Sequence, residues 1–460
     1  MKVALINPPR YENYAQPPMG LALLAGVLER EGHKVSIIDA NALNLGQEEI
    51  AEQSCGADVA GITAMTPSIG VAMETARNLK QKAPGLTVIL GGAHATLLPR
   101  ETLDSAAEID MVVCGEGEDT IVSLLQSIER GKPPGDIAGV GYRTGSETVV
   151  TPRADTYVDM DSLPFLAYHL LPWKAYRPHP PHGRDTPFAA IITSRGCPYH
   201  CSYCSKPIFG YKFRAQSPKR VVDEIDRLVN GFGIREIAFY DDVFTLDKKR
   251  ANEVCAEIIR RNLRFYWTCE SRVNLVDREL LRHLKEAGCY SIAYGIESAS
   301  PEILKIMDKG ITLEQVESAV RLTRQEGLQA VGYFMIGSPG ESRESILKTI
   351  DFARKLRLDF AQFSITTPFP GTRLYEMYQE INPGRNISWD SFVYAGGKRE
   401  MSPVFESSQL KSADLSRWVT RAYRRFYLRP SYVWQRLRQI RSLGDLKVNA
   451  KGLGMLLRSI

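Results

Sequence analysis

The sequence predicts an α/β protein with two consecutive units and a helical C-terminal extension. Residues 1–150 alternate buried strands with amphipathic helices, and the same alternation restarts at residue 187 and continues to 380. The stretch 151–186 between them is rich in proline and aromatic residues and has no sustained periodicity, which is typical of a linker. A chain of 460 residues is also too long for one ordinary hydrophobic core.

The N-terminal unit is predicted to be a doubly wound parallel sheet of the Rossmann or flavodoxin type. Its strands are expected at residues 2–7, 34–39, 58–63, 86–90 and 110–113, and its clearest helices at 20–31, 68–82 and 118–130. In such sheets a ligand binds beyond the carboxyl ends of the strands.

Small and polar residues follow the carboxyl ends of these strands. The candidates are Thr66, Ser68, Gly91, Gly92, His94, Glu116 and Gly117. Glycines at such turns let a large flat ligand approach the backbone, but they also serve simply to shape the turns. The residues alone leave both interpretations open.

The second unit is predicted to be an incomplete TIM-like barrel of six βα units. Strands are expected at 188–193, 236–240, 265–269, 291–295, 330–336 and 360–366, and helices at 218–230, 248–261, 277–287, 313–326 and 342–356. Barrels of this kind place their reactive residues at the carboxyl ends of the strands.

Three cysteines form a CxxxCxxC array directly after the first barrel strand. Cys197, Cys201 and Cys204 can bind three irons of a 4Fe-4S cluster and leave the fourth iron open to a substrate or cofactor. The alternative is a structural zinc site, which would need a fourth ligand, and only His200 is nearby. The other five cysteines are scattered through apolar segments, which indicates reduced thiols.

The composition is that of a soluble globular protein, with 44% apolar and 24% charged residues. No apolar run has the length of a membrane span, and the chain opens with a strand pattern rather than a signal peptide. These features predict a cytoplasmic protein.

The C-terminal extension is strongly basic. From Lys411 onward, twelve Lys and Arg stand against two Asp, a net charge of +10 that leaves −5 for the rest of the chain. The tail also contains Trp, Tyr and Phe. It fits a nucleic-acid surface, amphipathic helices on anionic lipid, or helices whose aromatic residues cover the barrel. We favour the last and disfavour nucleic acid.

Taken together, these motifs resemble the radical S-adenosylmethionine enzymes that carry an N-terminal cobalamin-binding domain. The signature is the cysteine array with aromatic Tyr203 before its last cysteine, while Pro17-Pro18-Met19-Gly20 and Gly91-Gly92-Ala93-His94 resemble the cobalamin module. The resemblance covers about residues 1–380. It implies a cobalamin-binding domain at 1–150, a linker at 151–186, a radical S-adenosylmethionine barrel at 187–380 and an extension at 381–460.

The resemblance also implies cofactors and the residues that hold them. A 4Fe-4S cluster would sit on the three cysteines, S-adenosylmethionine on its open iron, and cobalamin on the turns of the N-terminal sheet already named. The implied S-adenosylmethionine contacts are Tyr203, Asp241, Glu270, Arg272, Glu297 and Gly337. Carboxylates at strand ends also serve as helix caps or ion-pair partners, and this interpretation stays open.

One stretch departs from the classical cobalamin module. The DxHxxG motif, whose histidine coordinates cobalt, corresponds here to Asp39-Ala40-Asn41-Ala42-Leu43-Asn44. Many members of the radical branch resemble this sequence in lacking the histidine, which implies cobalamin without a protein histidine on cobalt. The alternative is a sheet that has lost cobalamin and serves as a scaffold.

By this resemblance the leading function is methylation of an unactivated carbon, started by a 5′-deoxyadenosyl radical and completed by methylcobalamin. The alternative with the same architecture is an oxidative cyclase of the anaerobic porphyrin type. A hypothesis of another class is a non-catalytic iron-sulfur or nucleic-acid-binding protein. Expected partners are a small-molecule or lipid-like substrate, an electron donor such as flavodoxin or ferredoxin and, through the tail, the inner face of the membrane.

Overall fold

The computed structural model describes residues 1–9, 15–178, 183–384, 387–392, 404–406 and 410–439. The chain divides into two compact units. The N-terminal unit comprises Met1–Tyr176, Ser205–Ala215 and Ser388–Asp390. The barrel unit comprises Arg177–Cys204, Gln216–Ile387 and the described residues after Ser391.

The N-terminal unit is a seven-stranded sheet in the order β2-β1-β3-β4-β5-β6-β7. Its strands are β1 Lys2–Asn7, β2 Lys34–Asp39, β3 Val59–Thr63, β4 Thr87–Gly91, β5 Met111–Val113, β6 Val140–Thr144 and β7 Glu147–Val150. The first five are parallel, as predicted. The antiparallel hairpin of β6 and β7 was not predicted, and its turn contains Gly145 with a φ of 61°.

Helices cover both faces of this sheet. They are α1 Met19–Arg30, α2 Ala40–Leu43, α3 Gln47–Gln53, α4 Ile69–Lys82, α5 Ala93–Leu97, α6 Pro99–Ser105 and α7 Glu118–Glu129. Leu28 and Leu124 belong to the core on one face, and Ile50 and Ile69 to the core on the other. Burying each such side chain stabilises the fold by about 1.5–3 kcal/mol.

The barrel unit contains a six-stranded parallel sheet in the order β15-β14-β13-β12-β11-β8. The strands that continue the numbering are β8 Phe188–Ile191, β9 Ser194–Arg195, β10 Arg214–Ala215, β11 Glu236–Phe239, β12 Tyr266–Ser271, β13 Cys289–Glu297, β14 Gln329–Ile336 and β15 Phe360–Ile365. Of these, β10 belongs to the N-terminal unit. Strands β9 and β10 flank the cysteine loop and lie outside the six. All six predicted barrel strands are therefore confirmed, with shifts of a few residues at their ends.

Local capping signals set where the helices of this unit begin. The helices are α8 Pro218–Asp226, α9 Lys248–Arg260, α10 Arg278–Glu286, α11 Pro301–Ile306, α12 Leu313–Gln325, α13 Arg343–Lys355, α14 Arg373–Ile381, α15 Ser412–Tyr427 and α16 Pro430–Gln439. The preceding Ser, Thr or Asp side chain accepts a backbone N–H at the start of α8 to α14. These caps explain why the predicted starts were close.

The described part of the basic tail packs on the edge strand β15. The Tyr423 hydroxyl accepts a hydrogen bond from the Phe363 amide at 3.2 Å, and the Phe426 ring lies 6.3 Å from the Phe363 ring. This is the interpretation in which the aromatic residues cover the barrel. The charged positions Arg441, Lys447, Lys451 and Arg458 lie outside the described residues.

Candidate active site

The cysteine loop follows β9 and is held by backbone hydrogen bonds. Gly196, with a φ of 81°, makes the turn into Cys197. The Ser202 amide donates to the Met307 carbonyl and the Ser202 carbonyl accepts from the Leu374 amide, both at 2.9 Å. Because Met307 and Leu374 belong to distant parts of the chain, the loop is fixed from two sides.

The surroundings of the loop favour the thiolate form of Cys201. Cys197 and Cys201 are buried, and Cys204 is half-buried. A hydrogen bond with Cys204, followed by the positive charges of Lys309 and Arg272, lowers the pKa of Cys201 to about 5 despite the opposing effect of burial. Since the thiolate is the form that binds metal, the loop is suited to iron.

Tyr203 lies at the centre of a buried charged triad. Its hydroxyl donates to Glu297 Oε1 at 2.9 Å and accepts from Lys309 Nζ at 2.6 Å, and Lys309 Nζ lies 2.9 Å from the same Glu297 oxygen. Burial, followed by the charge of Glu297, raises the pKa of Tyr203 well above 10, so the phenol stays protonated. Glu297 also has a φ of 68°, a conformation that persists only where the surroundings enforce it.

Arg272, at the end of β12, contacts the loop directly. Its guanidinium carbon lies 3.6 Å from the ring centre of Tyr199, Nη1 donates to Cys201 Sγ at 3.5 Å, and Nη2 donates to the Lys309 carbonyl. Arg272 is therefore beside the cysteine loop. Its contact with S-adenosylmethionine stays a prediction.

Asp241 is engaged within the protein. Its carboxylate accepts hydrogen bonds from the Thr193 amide and hydroxyl and from the Ser194 amide, and burial raises its pKa. Arg250 donates to the Thr193 hydroxyl at 2.8 Å. These contacts give Asp241 a structural role at the start of the loop, and the predicted contact with cofactor stays untested.

Glu270 projects near the triad. Tyr333 donates to Glu270 Oε1 at a long 3.4 Å, and burial raises the pKa of Glu270 to about 7. The carboxyl group is thus poised to exchange a proton near neutral pH.

Gly337 has a packing reason to be glycine. Its φ is 90°, and a Cβ there would lie 2.8 Å from Leu415 of α15. The amides of Gly337 and Ser338 donate to Glu341, whose pKa burial raises to about 7. Contacts within the chain therefore shape this turn. Its predicted contact with S-adenosylmethionine stays a prediction.

In the N-terminal unit, His94 and Thr66 meet at the carboxyl ends of β3 and β4. His94 Nδ1 lies 3.2 Å from Thr66 Oγ1, while Nε2 is buried and has no hydrogen-bond partner in the described part of the chain. Burial lowers the pKa of His94 to about 4, so the imidazole is neutral. Ser68 is instead used locally, because its hydroxyl bonds the Met65 backbone.

Protein contacts constrain Gly92 and Glu116 more tightly than Gly91 and Gly117. Gly92 has a φ of 94°, and a Cβ there would lie 2.7 Å from the Ala64 carbonyl oxygen. A Cβ at Gly91 or Gly117 would make only ordinary van der Waals contacts, at 4.0 Å from the Val113 carbonyl oxygen and 3.5 Å from the Val113 side chain. Glu116 receives both arms of the Arg214 guanidinium, which also stacks 4.1 Å from the Tyr157 ring centre.

The turn that replaces the histidine motif is well defined. Asp39 is fully buried, caps α2 through the Ala42 amide, and accepts hydrogen bonds from Asn7 at 2.8 Å and Tyr176 at 2.7 Å. Asn41 lies in the first turn of α2.

Sequence reasoning missed Lys309, Tyr199 and Arg214. Lys309 lies in a tight turn between Asp308 and Gly310, both with positive φ, and a lone lysine there has no periodic signal. The sequence places Tyr199 inside the cysteine array, but no pattern indicates that its ring contacts Arg272.

Comparison with known proteins matches both units. The Radical SAM superfamily model matches residues 191–353, and the B12 binding domain model matches residues 13–125. An uncharacterised methyltransferase of Pyrococcus horikoshii is 38% identical over 439 residues, which cover 94% of this chain and 93% of the relative. An anaerobic magnesium-protoporphyrin IX monomethyl ester cyclase of Cereibacter sphaeroides is 32% identical over 95% of this chain and 72% of its own length.

This chain belongs to the family of radical S-adenosylmethionine enzymes with a cobalamin-binding domain. Solved structures agree on the fold. The cobalamin-dependent radical enzyme OxsB superimposes with a TM-score of 0.76 at 17% identity, over 100% of this chain and 71% of OxsB. The methyltransferase TsrM from Kitasatospora setae gives 0.70 at 23% identity, over 84% of this chain and 76% of TsrM.

Membership in this family identifies the protein as a radical S-adenosylmethionine enzyme with a 4Fe-4S cluster. That the cysteine loop holds this cluster, rather than zinc, stays a prediction. Three thiols on one loop, one of them with a low pKa, are the donor set that such a cluster requires. Among the described residues, His94 Nε2 has no hydrogen-bond partner, and this fits a polar contact with a ligand on the N-terminal sheet, where the family binds cobalamin.

Proposed function

We propose that this protein is a methyltransferase that methylates an unactivated sp3 carbon of a small-molecule or lipid-like substrate. One observation carries the proposal: a single chain holds a three-cysteine radical loop and a cobalamin-type sheet with asparagine, not histidine, at position 41. When bound, the cluster and S-adenosylmethionine supply a 5′-deoxyadenosyl radical, and cobalamin supplies the methyl group.

The named relatives support this proposal. Besides the Pyrococcus horikoshii protein, they include a cytidylyl-2-hydroxyethylphosphonate methyltransferase of Streptomyces wedmorensis, which is 27% identical over 78% of this chain. Because the Cereibacter sphaeroides relative is a cyclase, an oxidative cyclase is the second candidate.

In the barrel unit, we assign roles to five residues. Glu297, Lys309 and Tyr203 present a preformed polar surface beside the cluster loop, suited to orienting the amino acid part of S-adenosylmethionine. The half-buried Glu270, with its pKa near neutrality, would hold or release a proton beside that surface. Gly337 would remain the backbone contact for adenine.

In the N-terminal unit, Thr66, His94 and the turns at Gly91, Gly92 and Gly117 would hold cobalamin. The neutral His94 offers Nε2 as a hydrogen-bonding group for the ligand. Ser68 and Glu116 would act indirectly, by shaping their turns. An external donor such as flavodoxin or ferredoxin would deliver the electron.

The decisive experiment uses S-adenosylmethionine with a trideuterated methyl group and needs no substrate. The protein is reconstituted with iron, sulfide and cobalamin and then reduced. We expect 5′-deoxyadenosine together with S-adenosylhomocysteine and transfer of the label to the cobalamin pool, read by mass spectrometry. 5′-Deoxyadenosine without label transfer would favour the cyclase.

A matched pair of cysteine variants controls this experiment. Cys201→Ala should abolish 5′-deoxyadenosine formation because the loop loses one iron ligand. Cys255→Ala removes an equally buried thiol from α9, outside the loop, and should retain the activity. Equal activity of both variants would exclude the loop as the radical centre.

We also propose that the tail contacts the inner face of the membrane. No helix in the described residues is long and apolar enough to cross a bilayer. Leu428, Val433 and Trp434 are nevertheless 49%, 45% and 58% exposed at the junction of α15 and α16. Exposed arginines, including Arg417 and Arg421, lie on α15, and basic apolar surfaces of this kind bind anionic lipid.

Vesicle sedimentation tests this contact. The protein should pellet with vesicles containing phosphatidylglycerol and not with pure phosphatidylcholine. Trp434→Asp should weaken the binding several-fold, whereas Ile381→Asp, at a position 62% exposed on α14, should not. Equal binding of both variants would contradict the assignment.

A further inference from the structure

Arg272 is a buried cation whose contacts include no carboxylate. The residue is only 4% exposed. Its described partners are the Tyr199 ring, the Cys201 sulfur and the Lys309 carbonyl, and its Nε has no hydrogen-bond partner. Within the described part of the chain, no ion pair joins Arg272 to an acidic side chain.

Such a charge is costly unless something negative lies beside it, because a guanidinium loses its hydration on burial. Two other cations of this unit do have a carboxylate partner. Lys309 pairs with Glu297 at 2.9 Å, and Arg220 of α8 pairs with Glu224 at 3.2 Å. The group that Arg272 does touch is Cys201 Sγ, one of the cluster ligands.

The Tyr199 contact gives Arg272 a second task. Tyr199 lies between the first two cysteines of the array, and its ring face is covered by the planar guanidinium. One side chain therefore fixes both a ligand sulfur and the segment between two ligands. The bond from Nη2 to the Lys309 carbonyl ties the same guanidinium to the turn that carries the triad lysine.

We propose that Arg272 is the counter-ion and positioning residue of the iron-sulfur cluster: it holds the loop through Tyr199 and stabilises the extra negative charge of the reduced cluster. Charge and hydrogen bonds at the cluster sulfurs set the reduction potential of such centres. The inference rests on the cluster of the proposed function, but its readout does not depend on which reaction follows.

The test is a redox titration of the reconstituted holoenzyme, followed by electron paramagnetic resonance without substrate. Arg272→Met should lower the ratio of reduced to oxidised cluster about tenfold at a fixed potential, which is about 59 mV for one electron. Arg272→Lys keeps the charge and should recover most of that loss. Arg220→Met is the control, because it removes a half-buried guanidinium that has its own carboxylate. The reduction potential of the cluster in this variant should equal that of the wild type.

Loop positioning is tested separately with Tyr199→Leu. This variant keeps the charge of Arg272 but loses the ring contact, so cluster assembly should slow several-fold while the potential of the assembled cluster stays close to wild type. Iron per chain is measured for every variant. If Arg272→Met binds no iron, Arg272→Lys provides the test instead. The proposal requires the reduction potential of the cluster in Arg272→Lys to stay near that of the wild type.

Two results would overturn the proposal. One is a fully loaded Arg272→Met whose potential matches the Arg220→Met control. The other is a fully loaded Arg272→Lys whose ratio of reduced to oxidised cluster falls tenfold. An increase of tenfold or more in the Kd of S-adenosylmethionine for the oxidised Arg272→Met protein, with unchanged potential, would instead identify Arg272 as a contact of that cofactor. Failure of methyl transfer alone would leave these titrations unaffected.

Discussion

The Tyr427 hydroxyl closes the edge of the barrel sheet at Ala361. It donates to the Ala361 carbonyl at 2.9 Å and accepts from the Ala361 amide at 3.1 Å. One side chain of α15 thus takes the place of a neighbouring strand on β15. An unprotected edge strand is a site of aggregation, so this contact protects the sheet as well as stabilising it.

Replacing Tyr427 by Phe should lower the free energy of unfolding by about 2 kcal/mol, because two buried backbone groups of Ala361 lose their partner. Urea denaturation of the apoprotein measures the change. Tyr266→Phe, at a position 43% exposed, should change the stability by less than about 0.5 kcal/mol. Equal effects of the two substitutions would show that the edge contact contributes nothing specific.

The buried pair of Glu116 and Arg214 should be strongly coupled. Either Glu116→Gln or Arg214→Met should destabilise the protein by on the order of 3 kcal/mol, since each leaves an uncompensated buried partner. The double variant should lose less free energy of unfolding than the two single variants lose together. A double-mutant cycle in denaturant measures this difference. Additive losses would contradict a direct interaction. Lys348→Met, which breaks an exposed pair with Glu344, should have little effect.

Glu341 should make stability fall as pH rises. Its pKa is about 7 in the folded chain against an ordinary value of 4.5, so the folded state binds the extra proton between these values. The wild type should therefore lose up to about 1.4 kcal/mol per pH unit relative to Glu341→Gln between pH 4.5 and 7, and nothing further above pH 7.

Denaturation of the two apoproteins across this range measures the difference. Glu344→Gln, at an exposed position of α13, is measured beside them as a surface control. A constant difference between wild type and Glu341→Gln would mean that Glu341 is not a raised-pKa group.

The asparagine at position 41 predicts a spectroscopic property. Because the α2 turn offers no imidazole, electron paramagnetic resonance of bound cob(II)alamin should show no splitting from a protein nitrogen. Asn41→His is the gain-of-ligand comparison. If the wild type shows nitrogen splitting that disappears in His94→Asn, the ligand is His94 and the proposed cobalt environment is wrong.

The regular parts of the fold were predictable because their signals are local. Hydrophobic periodicity located the five parallel strands of the N-terminal sheet, all six barrel strands and helices such as α9 and α10. In the structure, caps at Asp247 and Asp277 fix where these two helices begin. The hairpin of β6 and β7 was missed because its strands are short and only half-buried.

The sequence by itself determined the cysteine array, the absence of a histidine at position 41 and the family that both indicate, because these depend on spacing within a few residues. Only the tertiary structure decided which side chains meet. Arg272 reaches Cys201 across 71 residues, Lys309 reaches Tyr203 across 106, and Arg214 reaches Glu116 across 98. Such contacts follow from the order of strands and the packing of loops over them, and no local pattern encodes either.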